Sequence, residues 1–214
     1  MHRAKCEITD SLEIARILDS TNIGRLATMD AEGYPYVTPV NFVFMDKRIY
    51  FHCALKGEKL DNLLREPKVG FEVDRPLAYL EVRFNPDRLP CRAHQFYRSV
   101  VIRGRARIVT DPALKTAALN ALLAKHEQHP DFQRVTPDAP GHARCHVVEI
   151  TPIRTTAKAD LGQSSFQRPY RDFIAEQLAK RGLPVDLETL EAMGYEIEKG
   201  GSGGWKIRQG PTDG

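Results

Sequence analysis

The stretch "IGRLATMDAEGYPYVTPVNFVFMDKRIYFHC", residues 23–53, decides the fold class. Its apolar residues recur with a period of two, Val, Ile, Thr, Tyr and Phe are enriched, and turn residues fall at "MDAEG" and "MDKR". This pattern predicts a three-stranded antiparallel meander over residues 24–29, 36–44 and 48–53. Proline cannot donate to a strand ladder, so Pro35 fits a strand start and Pro39 requires an edge, a bulge or a bend.

Upstream, "TDSLEIARILDS" reads as a helix capped by Asp10, with Glu13 at the capping-box position and Ile14, Ile17 and Leu18 on one face. Downstream, Leu60, Leu63 and Leu64 mark a helix that stops before Pro67. "KVGFEVD" reads as a short strand, and residues 79–84 as another, followed by a Pro-rich loop. "YRSVVIRGRARIVT" predicts a long strand with Ile102, Ala106 and Ile108 on one face and Arg103, Arg105 and Arg107 on the other.

Asp111 and Pro112 open a helix with Leu114, Ala117, Ala118, Ala121 and Leu122 inward. "CHVVEITPIRTT" closes the unit. About six strands with marginal helices make a mainly β protein, a small antiparallel barrel over residues 1–158. The absence of a βαβ repeat argues against a doubly wound sheet. Residues 159–214 read as a small α/β appendage of two short helices and a hairpin.

Composition narrows the class of function. The 214 residues are 42% hydrophobic and 28% charged, as in soluble globular chains. No apolar run reaches the length of a membrane span and the first residues lack a secretion-signal core, so a cytoplasmic location is expected. Four scattered cysteines without a CxxC pair suit reduced thiols.

A net charge of +3 is too small to imply nucleic acid. From Pro169 onward six basic residues face eight acidic ones, the wrong sign for a phosphate-backbone binder. "KHEQHP" and "GHARCH" have spacings that can hold zinc, but without a CxxC pair the favoured reading is surface or packing histidines and no metal. "GGSGGWK" lacks the ending of a phosphate loop, and no GxGxxG is present.

The join "RIYFHCALKGEKLDNLLREP" carries more chemistry than a chain reversal requires. A strand ends in His52 and Cys53, and a helix starts beside Lys56, Gly57 and Lys59. Glycine permits backbone approach, a helix N-terminus offers free amides, and the lysines add charge, an arrangement that fits a phosphate monoester. The alternative is a pair of solvated helix lysines, and spacing alone does not choose.

Residues 23–74 together with "YRSVVIRGRARIV" resemble the FMN-binding split barrels related to pyridoxamine phosphate oxidase, most closely the branch of nitroimidazole-resistance nitroreductases. The resemblance runs from about Asp10 to Arg154. It implies a six-stranded split barrel, a homodimer with one flavin mononucleotide in each of two grooves between subunits, and a small-molecule substrate.

By position it assigns Cys53, Gly57 and Lys59, with Lys56 beside them, to the phosphate turn. Val37, Thr38, Pro39, Val40 and Asn41 correspond to the strand whose backbone lies along the flavin ring. Ser99 falls where the family's long strand reaches the flavin, and His52 where the nitroreductase branch carries a flavin-side histidine, which makes it the candidate catalytic group.

The family often has Ser or Thr at Cys53 and Arg at Glu58. The basic side chains used by the oxidases themselves are replaced by Val37 and Phe42, which argues against pyridoxamine phosphate oxidation. The expected function is an FMN-dependent oxidoreductase acting on a small organic substrate such as a nitro compound. The alternative is a non-catalytic flavin- or haem-binding protein of the same fold, and a deazaflavin in place of FMN stays open.

Overall fold

The computed structural model describes residues 4–129, 131–163, 168–200 and 203–210. Contacts divide the chain into two compact units, Thr9–Asp74 with Ser99–Ala157, and the described parts of Met1–Ile8, Arg75–Arg98 and Lys158–Gly214.

In the first unit, helix α1 (Ser11–Ser20) is capped as its sequence requires: the Asp10 carboxylate accepts from the Leu12 amide at 3.0 Å. Ser20 and Thr21 hydroxyls donate to the Ile17 carbonyl and help end the helix. Strands β2 (Ile23–Met29) and β3 (Pro35–Asn41) pair antiparallel around a turn in which Asp30 Oδ1 accepts from the Glu32 and Tyr34 amides.

Pro35 lies opposite Met29, and Pro39 opposite Arg25. Both prolines therefore share one parity. In an antiparallel pair, alternate residues aim their amides away from the partner strand. Placing both prolines at that parity sacrifices no ladder bond, which is the edge position that proline tolerates.

The predicted second strand of the meander is broken at Phe42. Beyond it come β4 (Val43–Met45) and β5 (Arg48–Cys53), paired with each other. After helix α2 (Glu58–Arg65) the chain continues through the long strands β6 (Lys68–Leu80), β7 (His94–Ile108) and β8 (His146–Asp160). The sheet order is β3-β2-β6-β7-β8-β5-β4, with the two-residue β1 (Glu7–Ile8) beside β8.

This is not the expected meander, and the sheet has eight strands instead of six, the two-residue β1 and the separate β4 being the additions. The meander is broken at Phe42: β3 and β4 are consecutive in the chain yet lie at opposite ends of the sheet order, so one residue joins the two ends. That connection gives the split barrel.

Phe42 is fully buried and meets Phe71 edge to face at 5.0 Å. Two residues of helix α3 (Pro112–His126) hold it as well. The Lys125 ammonium lies 3.7 Å from its ring centroid, and His126 Nε2 donates to its carbonyl at 3.1 Å. Asp111 caps α3 through the Ala113 and Leu114 amides. Ala118 and Leu122 pack with Val43, Tyr50, Val109 and Val147, whereas Ala117, expected inward, is exposed and Leu119 takes its place. A single helical turn, α4 (Pro140–Ala143), precedes β8.

In the second unit, the expected short strand over 79–84 is instead the end of β6, and Val82–Phe84 form a 3-10 turn. Pro76 does not end the strand. The buried parity changes across it, from Val69, Phe71 and Val73 to Ala78 and Leu80, so the strand turns over while continuing.

Helices α5 (Arg171–Arg181) and α6 (Pro184–Ala192) and the hairpin of β9 (Glu196–Lys199) with β10 (Trp205–Gln209) make up the tail that follows β8. Gly201 and Ser202 of its glycine loop lie outside the described residues. The tail binds the 75–98 segment: Thr189 Oγ1 accepts from the Ala78 amide at 2.8 Å, and Arg181 pairs with Glu81 at 2.8 Å and with Asp186. Among the described residues no helix is long and apolar enough to cross a membrane.

Candidate functional site

The turn between β5 and α2 borders a cavity of about 230 Å³, lined by Tyr36, Thr38, Cys53, Lys56, Gly57, Lys59 and their neighbours. Gly57 holds φ at +135°, a conformation that side chains resist, and the space where its Cβ would stand is open. As N-cap residue it provides no side-chain acceptor, so the first amides of α2 are uncapped. The Lys59 ammonium lies 5.6 Å from the Phe51 ring centroid.

Thr38 Oγ1 is buried and has no hydrogen-bond partner among the described residues. Such an orphan is costly unless a ligand or water completes it. Burial pushes the Cys53 thiol above its usual pKa, against the opposing charge of Lys59. It therefore enters the cavity as a neutral, weak donor and adds no negative charge. A hydroxyl, a thiol, uncapped amides and two ammonium groups together fit a phosphate. Glu58, which also lines the cavity, opposes one.

The remaining predicted residues do not share this cavity, because a strand sends successive side chains to opposite faces. His52 and Asn41 open on a second cavity of about 340 Å³, between β5 and α3, with Leu119, Leu122, Leu123, His126, Glu127 and Val135. Val40 is buried, while Val37 and Pro39 project from the exposed face of β3. Ser99 stands half-buried at the exposed parity of β7 and lines neither cavity.

What Val37, Pro39 and Asn41 have in common is the backbone edge of β3, the end strand of the sheet. By the parity of the prolines, the amides of Val37 and Asn41 are the ones that face outward.

Leu119, Leu122, Leu123 and His126 form an i, i+3, i+4, i+7 row. That periodicity reads as core, and nothing in it marks the row as the wall of a cavity. A buried ionic group was also missed. Glu149, 2% exposed, accepts two 2.8 Å bonds from Arg107 and one from the Tyr50 hydroxyl at 3.0 Å. Burial raises its pKa, but the bonds from Arg107 and then Tyr50 outweigh this and hold it low. A lone Glu within the apolar run "HVVEI" was its only trace.

Among the histidines weighed for metal, His126 serves Phe42 and His142 Nε2 lies 3.2 Å from Thr116 Oγ1. No group of metal-ligating side chains occurs among the described residues.

Residues 10–159 match the family model described as pyridoxamine 5'-phosphate oxidase. Among solved structures the chain is similar to a candidate 5-nitroimidazole antibiotic resistance protein from Bacteroides thetaiotaomicron (22% identity, TM-score 0.61, 72% of this chain and 86% of that one). It is also similar to a flavocytochrome from Azotobacter vinelandii (20% identity, TM-score 0.63, 77% and 75%). A third is an FAD- and haem-binding protein from Mycobacterium smegmatis (14% identity, TM-score 0.61, 72% and 73%). At these identities the likeness is one of fold. No curated protein matches the sequence.

Proposed function

Because this chain belongs to the pyridoxamine 5'-phosphate oxidase family, we propose that it is an FMN-dependent oxidoreductase reducing a small organic molecule such as a nitro compound. The observation that carries this reading is the orphaned Thr38 hydroxyl, aimed with Lys59 and the uncapped start of α2 into a phosphate-sized cavity. Lys56 and Lys59 neutralise the 5'-phosphate, the α2 amides and Thr38 donate to it, and Cys53 fills the cavity wall. The outward amides of β3, at Val37 and Asn41, serve the ring. Bound flavin supplies the electron or hydride transfer.

The His52 side chain makes no hydrogen bond among the described residues and stands beside Asn41 at the second cavity. There its imidazole, which can both donate and accept, orients the substrate or delivers a proton. The assembly is a homodimer. Exposed Ile23, Val37, Val101 and Ile153 on the strands of the first unit support a sheet face that a second copy covers.

The test is an absorbance titration of the purified chain with FMN and riboflavin. FMN is expected to bind at least about tenfold more tightly, as one charge-assisted phosphate contact of roughly 1.5–3 kcal/mol requires. Gly57→Asp combined with Lys59→Ala should abolish the preference. Equal binding of the two flavins, or an unaffected double variant, removes the phosphate site; a Soret band in place of a flavin spectrum points to the haem-binding alternative.

A further inference from the structure

The second cavity assigns a chemical class to the substrate. At about 340 Å³ it falls within the size of small-molecule sites, roughly 300–1,000 Å³. Its floor is aliphatic: Leu119, Leu122 and Leu123 from α3, and Val135. Three polar side chains stand around it, His52, Asn41 and Glu127, and none makes a hydrogen bond among the described residues. His126 is held in place by its bond to the Phe42 carbonyl.

Among the described residues no lysine or arginine lines this cavity, and the one carboxylate there is that of Glu127. An anion entering it would lose hydration without gaining a lysine or arginine partner and would meet a like charge. The cavity at the β5–α2 turn is the reverse, with Lys56 and Lys59 against Glu58.

We propose that the β5–α3 cavity is the substrate pocket and that it selects an uncharged, largely apolar molecule with a hydrogen-bonding group, rejecting phosphate esters. The word substrate rests on the flavin reading above, whereas the selectivity rests on this cavity alone. The apolar body of such a molecule lies against Leu119, Leu122 and Leu123, and its polar group is met by His52 and Asn41. A phosphate ester finds no lysine or arginine anchor here among the described residues.

Isothermal titration of the full chain with 4-nitrobenzyl alcohol and 4-nitrophenyl phosphate tests this, with flavin content recorded by absorbance in the same samples. The alcohol is expected to bind at least about tenfold more tightly than the phosphate ester. Leu123→Trp, which fills the floor, should weaken the alcohol by a similar factor while FMN binding is retained. Glu127→Lys, at an exposed position, should narrow the gap between the two probes without unfolding the chain.

Equal or tighter binding of the phosphate ester overturns the proposal. So does alcohol binding that is undetectable, or indifferent to both variants. Loss of the flavin reading appears separately, as absent FMN binding in samples that still discriminate between the probes.

Discussion

Cys53 and His52 are adjacent in the chain and belong to different chemistries. Cys53 faces a small polar cavity with two lysines and an orphaned hydroxyl, while His52 faces an aliphatic one under α3. The pleat of β5 makes the separation, so one strand end can supply an anion site and an apolar pocket without either compromising the other. A residue's neighbours in sequence are therefore a poor guide to its neighbours in function.

The comparison breaks most completely if Phe42 is removed, because both sheet ends meet there. Phe42→Ala should cost about 3–5 kcal/mol, read as a fall in the urea midpoint. Ligand binding at both cavities should weaken together. A loss confined to one cavity would show that the bend is not their common support.

A pH series separates the α3 side from the turn. Lys125 is brought down to about 8 from 10.5, chiefly by burial. Between those values the unfolded chain holds more protons than the folded one, so stability should rise with pH from about 8 to 10.5 and carry the full penalty below that window. With partial exposure discounted, the gain is on the order of 2 kcal/mol. Lys125→Met should flatten the profile in urea unfolding at successive pH values, and an unchanged slope would place the titration elsewhere.

The smallest expected effect sharpens the anion site. Glu58→Gln removes the carboxylate that opposes phosphate there. FMN should bind a few-fold more tightly at low salt, with the difference fading as salt screens it. Riboflavin should be unaffected, and an equal gain for both flavins would assign the effect to the ring.

Much of the local structure was legible because its causes are local. Asp10 and Asp111 cap helices through their own side chains, and Asp30 makes its own turn. The strand pairing was not legible. The alternation from Tyr36 to Phe44 runs unbroken through Phe42, and only burial against Phe71 and α3 shows that the chain bends there. The continuity of β6 through Pro76 was hidden for the same reason.

In the site, Lys56, Gly57 and Lys59 could be grouped by eye. The β5 alternation that divides Cys53 from His52 was present in the sequence, but a shared turn masked it. The grouping of the tail with the 75–98 segment depends on a hydroxyl at Thr189 meeting a backbone amide at Ala78, a contact between residues 111 apart that no periodicity announces.

The prolines of β3 have one more consequence. An open sheet edge is a template on which other chains can polymerise, and proteins suppress that growth by interrupting it. Pro35 and Pro39 delete every second outward donor, leaving those of Val37 and Asn41 about 13 Å apart, four residues at roughly 3.3 Å each. A comb so gapped offers a foreign strand too few donors to register on, and in the proposed flavin site its two remaining amides are the ones that meet the ring. The same two prolines that interrupt this edge against strand addition would leave it open to the proposed ligand.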